Sequence, residues 1–176
     1  LVISRDCEVT PLVHGGGQER DVRSGTLDTP AIAAFAAALN ELGAQRSSQV
    51  ARIRALRDDL VAQVRAAVPT AILSGDPVGR LANNAHFTFP GCLGDALLML
   101  LDAQGVECSV GSACSAGVPQ PSHVLLAMGR DEQAARETLR FSLGYTSTPQ
   151  DIDAVVAVLP AAVERASRAG MPRGAA

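Results

Sequence analysis

Lysine is absent from this sequence: all 15 of its basic residues are arginine. No side chain offers a primary amine, so Schiff-base chemistry with a carbonyl compound lies outside what these residues do by themselves. Tryptophan is absent too, and one tyrosine and four phenylalanines make up the aromatic complement. That is too few rings for a base-stacking platform, and a formal charge of −3 gives no cationic footprint for a phosphate backbone. No apolar run approaches the roughly 20 residues of a membrane-spanning helix. The opening Leu1-Val-Ile-Ser-Arg-Asp is too short for a secretory signal and has no basic lead-in. The four cysteines, Cys7, Cys92, Cys108 and Cys114, lack the close-spaced pairs of a zinc site. The expectation is a cytoplasmic protein with reduced thiols, no metal, no membrane partner and no nucleic-acid partner.

What is present is a globular composition, 47% hydrophobic and 19% charged, in a chain long enough for one or two modest domains with a real core. The most unusual stretch spans residues 105–117. A short apolar run stops at Gly111, and every residue from there to Gly117 is small, Cys114 among them. A thiol on such a loop can be carried to a substrate and away again. The alternative is a half-buried small hydrophobe, since reactivity needs a lowered pKa that residue order does not reveal. Cys108, six residues earlier, could form a redox pair with it but reads as core.

Taken in order, residues 1–3 read as the end of a strand. Gly15, Gly16 and Gly17 read as a tight turn or an anion-binding loop, with a spacing that fits neither the Walker nor the dinucleotide pattern. His14 beside them reads as structural, and residues 18–26 as a solvated polar loop. Thr29 reads as an N-cap with Pro30 in the first turn, opening a helix that Gly43 ends or kinks. A second helix from about residue 48 carries Val50, Ile53, Leu56, Leu60 and Val64 at helical spacing until Pro69. A short strand at 71–73 and a turn at 74–77 precede a strand at 85–89, with Phe87 and Phe89 on one face and His86 and Thr88 on the other. On that reading His86 points away from the core and nothing else marks it. A helix from Gly94, apolar all round and so buried on most sides, ends at the cap Gly105. A strand at 106–110, the Cys114 loop to Pro121, a short helix to Gly129 and an Asp131-capped helix follow. In the strand 138–143, Leu139, Phe141 and Leu143 share one face, leaving Arg140 on the other, where a guanidinium can fork onto a carboxylate or simply sit in solvent. Thr148-Pro-Gln-Asp151 caps a last helix that Pro160 should kink or interrupt.

Four motifs in order then carry a resemblance: His14-Gly-Gly-Gly-Gln-Glu-Arg20, Arg23-Ser-Gly-Thr26, Gly-Ser-Ala-Cys-Ser-Ala-Gly at 111–117 with Pro121-Ser-His-Val-Leu125, and Leu139-Arg-Phe-Ser-Leu-Gly144. Together they resemble the C-terminal half of a group I (NifS/IscS-like) cysteine desulfurase. That resemblance implies an α/β chain, the C-terminal part of a pyridoxal-phosphate-dependent transferase fold of aminotransferase class V. Residues 1–43 would be a remnant of the large domain, 44–170 a small α+β domain and 171–176 a tail. It implies that Cys114 takes sulfur from L-cysteine as a persulfide, leaving alanine, and passes it to an iron–sulfur scaffold or another acceptor. Arg140 would bind the substrate carboxylate, and Thr26 would reach the cofactor phosphate of the neighbouring subunit in a homodimer. Two departures stand out: Asp21 occupies a place where the family carries glycine, and the Schiff-base lysine is missing. The family carries a different aromatic at His123 in many members, so His123 reads as a helix-start residue and not as the base of a Cys–His hydrolase. The expected explanation for the missing lysine is N-terminal truncation, which would leave this chain inactive alone. A catalytically silent dimerisation or interaction fragment is the alternative, and an unrelated thiol-redox or thiol-hydrolase domain is a third reading.

Overall fold

A computed structural model describes residues 3–110 and 120–170, with backbone alone for 169 and 170. The chain divides into two units, Leu1–Arg46 and Ser47–Ala176.

The first unit is mostly loop up to α1 (Thr29–Ala67), a helix that continues into the second unit. A 3₁₀ turn, Gln18–Asp21, holds Glu19, Arg20 and Asp21 at φ of 51°, 59° and 62°. Three successive non-glycine residues in the left-handed region each carry a steric cost of about 1–2 kcal/mol. Local hydrogen bonds brace the loop: Gly25 N–H donates to Gln18 Oε1 at 2.8 Å, and Ser24 N–H donates to the Val13 carbonyl at 3.3 Å. The cap of α1 is Asp28, one residue before the expected Thr29, because its carboxylate accepts from Ala31 N–H at 3.1 Å. Gly43 does not end this helix. A single internal glycine costs about 1 kcal/mol, too little to stop a helix whose later turns bury Leu56, Leu60 and Val64.

The second unit is built on an antiparallel sheet in the order β1 (Ile72–Leu73), β2 (Asn84–Thr88), β3 (Thr138–Ser142). Its register sets Ala85 against Phe141 and Phe87 against Leu139, and Leu73 against Phe87. Those residues share one face. They join Leu60 and Val64 of α1, Leu97 and Leu101 of α2 (Gly94–Asp102), and Ile152 and Leu159 of α5 (Pro149–Gly170) in one core. Phe87 stacks at 6.0 Å from Phe89 and edge-on at 6.3 Å from Phe141, so three of the four phenylalanines anchor this cluster. Cys92 is fully buried, with its thiol donating to the Val163 carbonyl of α5 at 3.5 Å.

Several helix ends follow from local chemistry. Gly105, at φ 76°, closes α2: Gly105 N–H reaches the Asp102 carbonyl at 2.9 Å and Val106 N–H the Leu101 carbonyl at 3.0 Å, the paired bonds of a glycine-terminated helix. Gly129 ends α3 (His123–Ala127) in the same manner, and Asp131 caps α4 (Glu132–Arg136) through Ala134 N–H at 2.7 Å. Asp151 accepts from Thr148 N–H at 2.8 Å and from the Thr148 hydroxyl at 3.0 Å. Two outcomes differ from the sequence pattern here. Pro160 does not interrupt α5, since the ring removes one donor while Ile152, Leu159 and Ala162 stay anchored on the core. The expected strand at 106–110 is a single bridge between Ser109 and Arg140. The helix α2 is covered on most sides, with Leu97 and Leu101 fully buried and Ala96, Leu98 and Leu100 packed against the core, while Met99 is 73% exposed.

Candidate functional site

The sheet face opposite the core is mainly polar. Alternation and register put Asn84, His86 and Thr88 of β2 beside Ser142, Arg140 and Thr138 of β3, with Ile72 at the edge opposite Thr88. Ser74 continues the row, its N–H bonded to the His86 carbonyl at 2.8 Å and its hydroxyl 3.4 Å from that of Thr88. On the far side Ser109 exchanges two backbone bonds with Arg140, at 2.7 Å and 3.0 Å. Ser74, His86, Arg140 and Ser109 therefore form one cross-sheet row.

Arg140 is half-buried, not free of cover as its place in the strand pattern suggests. Its Nε and the Nδ1 of His86 are both shielded from solvent and have no hydrogen-bond partner among the described residues. Burial, reinforced by the positive charges of Arg140 and Arg80, lowers the His86 imidazole to about 4, so the ring is neutral near pH 7. Arg80 is held in place by the loop between β1 and β2. Its Nε donates to the Asp76 carbonyl at 2.7 Å and its Nη2 to the Ser74 carbonyl at 2.9 Å. Asp76 shapes that loop by accepting from Val78 and Gly79 N–H, each at 2.7 Å, and these bonds hold its carboxyl below the usual range.

His86 is the residue that the sequence pattern leaves unmarked. Alternation correctly turns it away from the core, but a period of two does not show what else covers that face. The signal needed is the β2–β3 register, which puts it directly opposite Arg140. Among the thiols, burial and Asp102 push Cys108 up to about 11, and burial also raises Cys92, with a smaller contribution from Glu137. Both are poor nucleophiles. Cys7 is exposed. Cys114 lies outside the described residues. Ser109, five positions earlier in the sequence, is bridged to the Arg140 backbone.

Thr26 belongs to the first unit and is exposed, its carbonyl accepting from Arg23 Nη1 at 3.0 Å. His14 is exposed, and His123 is the exposed first residue of α3. No group of three or more metal-ligating side chains occurs among the described residues, and no helix there is long and apolar enough to cross a membrane. A carbonyl cofactor that needs an amine anchor finds none in these 176 residues, which contain no lysine.

The aminotransferase class-V family profile matches residues 10–155. An IscS-like cysteine desulfurase of Mycobacterium tuberculosis is 56% identical over 173 residues, which are 97% of this chain and 44% of that protein. The cysteine desulfurase NifS of Azotobacter vinelandii is 39% identical over 160 residues, 91% of this chain and 40% of that one. Among solved structures, a NifS-like protein from Rickettsia africae superposes with a TM-score of 0.77 at 31% identity, covering 90% of this chain and 41% of its own. The chain thus spans about two fifths of the length of the curated relatives it matches. A profile matched over most of its length, on a fold shared with solved relatives, establishes that the chain belongs to the aminotransferase class-V family.

Proposed function

We propose that these residues are the C-terminal, sulfur-accepting part of a cysteine desulfurase. In this reading Arg140 grips the carboxylate of L-cysteine with its guanidinium fork. The Cys114 thiolate attacks the substrate sulfur, so that an S–S bond forms and the Cβ–S bond breaks. Its electron pair stays with the three-carbon skeleton, which is protonated to alanine, and Cys114 is left as a persulfide. What supports the reading is Arg140 itself, half-buried on the polar sheet face with its Nε unpartnered among the described residues. The names of the relatives support it, as does a solved structure titled SspA in complex with cysteine, with a TM-score of 0.51 at 30% identity.

Members of the aminotransferase class-V family that desulfurate cysteine depend on pyridoxal phosphate. The residues present do not fit that group by themselves: its Schiff base needs a lysine, and there is none. In our reading the amine comes from residues other than these, and the chain alone neither anchors the cofactor nor turns over cysteine. Residues 1–43 then belong to a large domain and 44–170 to a small one. Thr26 serves the cofactor phosphate of a neighbouring subunit in a cytoplasmic homodimer, and the persulfide passes to an iron–sulfur scaffold or another acceptor. The alternative, a silent interaction fragment, draws its support from the same missing lysine.

The test uses an enzyme complemented with the lysine-bearing residues. Cys114→Ser should bind L-cysteine yet form no persulfide, and Arg140→Ala should bind L-cysteine about tenfold or more weakly. Persulfide formation in the serine variant overturns the reading. So does stoichiometric, borohydride-trappable pyridoxal phosphate with multiple turnovers in the 176-residue chain alone.

A further inference from the structure

Two unmet polar groups lie side by side on the sheet face described above, and they are chemically complementary. Arg140 Nε–H is a donor, and His86 Nδ1 in a neutral ring is an acceptor when the proton sits on Nε2. Both atoms are shielded and unpartnered among the described residues. Their residues are direct cross-strand partners, a placement that puts the two Cβ atoms about 4.5–5.5 Å apart on one face. The Arg140 backbone is fixed on its other edge by the two bonds to Ser109, so only side-chain rotation is needed to join the pair. One bond between them satisfies both groups, whereas leaving both buried and unmet is doubly unfavourable.

We infer that His86 is a positioning residue for Arg140: its Nδ1 takes the Arg140 Nε–H and leaves the two terminal guanidinium nitrogens to grip a carboxylate end-on. A guanidinium has two usable forks, one formed by Nε with a terminal nitrogen and one by the two terminal nitrogens. Occupying Nε removes the side-on fork and fixes the angle at which a carboxylate enters. The partner must stay neutral for this. The charged groups acting on His86 are Arg140 from β3 and Arg80 from the loop between β1 and β2, both cationic, and with burial they keep the ring unprotonated near pH 7. The inference rests on the carboxylate role of Arg140 proposed above.

The bond itself is tested on the 176-residue chain by nitrogen-15 NMR, with no substrate present. A through-bond nitrogen–nitrogen coupling between Arg140 Nε and His86 Nδ1 is expected. The Arg140 Nε–H should also exchange with solvent about tenfold more slowly than that of an exposed arginine such as Arg65. His86→Leu should abolish the slow exchange, and His86→Asn, whose amide oxygen can accept, should restore it. Absence of the coupling in the wild-type chain overturns the inference without reliance on any variant. In the complemented enzyme, His86→Leu should raise the KM for L-cysteine about fivefold to tenfold with kcat within about twofold, and His86→Asn should recover most of that loss. A KM that responds to Arg140→Ala but not to His86→Leu overturns the positioning role. A KM indifferent to both overturns the carboxylate role of Arg140 on which it rests, while the coupling still reports whether the bond exists.

Discussion

The two ends of α1 carry one apolar stripe with two different outcomes. Toward its start Ile32, Phe35, Leu39 and Leu42 recur at helical spacing and are 51–64% exposed. Toward its end Leu56, Leu60 and Val64 continue the same periodicity and are at most 8% exposed, packed with β2, α2 and α5. An amphipathic helix declares which side it needs to bury, but the partner that covers it is a property of the rest of the fold. For the later turns that partner is the second unit's core. The earlier turns keep their stripe more than half exposed among the described residues.

The largest expected effect tests this contrast with like substitutions. Phe87→Ala should destabilise the second unit by about 3–5 kcal/mol, because Phe87 is fully buried between Phe89 and Phe141. Phe35→Ala, at a site 59% exposed, should stay within about 0.5 kcal/mol. Denaturant midpoints followed for both variants settle it, and equal losses would show that the first half of α1 is covered after all.

Glycines sharpen the contrast at a smaller scale. A Cβ at Gly94 would lie 2.5 Å from the Thr138 carbonyl and 3.0 Å from that of Arg136, both rigid backbone, so Gly94→Ala should cost about 1–3 kcal/mol. A Cβ at Gly43 meets nothing within 4 Å. There Gly43→Ala should stabilise the helix by about 0.5–1 kcal/mol, read as increased helicity and slower amide exchange around residue 43.

Within the second unit, titration acts at both ends of the pH scale. The neutral His86 of the second unit sits at about 4, below its ordinary 6.5. Between those values the unfolded chain binds the proton and the folded chain does not, so stability should be lost as pH falls from about 6.5 through about 4. His86→Gln should flatten that slope in unfolding curves. Cys108 works in the opposite window. Its folded value of about 11 against 9.0 means that the folded state keeps a proton which the unfolded chain releases, so stability should fall as pH rises from 9 through 11. A Cys108→Ser variant lacks that alkaline slope. The smallest effect expected is chemical: brief alkylation near pH 8 should leave Cys92 and Cys108 unmodified while Cys114 reacts, and early labelling of either buried thiol would break the distinction.

Local pattern carried much of the second unit. The alternation Leu139, Phe141, Leu143 identifies the buried face of β3, and Gly105, Gly129 and Asp131 mark helix ends whose bonds depend only on neighbouring backbone. Where the pattern failed, a long-range effect outweighed a local one. Core anchoring on both sides carried α5 through Pro160, and burial of the later turns outweighed the conformational cost of Gly43. The strand at 106–110 shrank to one bridge because pairing depends on a partner edge that apolar content does not reveal.

The order of four short motifs, the absence of lysine and the run of small residues around Cys114 belong to the sequence alone. They identify the family and exclude an amine anchor in these residues, because both conclusions depend on which side chains exist and in what order. That His86 faces Arg140, that Arg80 leans its charge on the same ring, and that Ser109 is bonded to the Arg140 backbone were decided only by tertiary structure. Register and bridging join His86 and Ser109 to Arg140 across 54 and 31 positions, and such pairings have no signature in the local order of the chain.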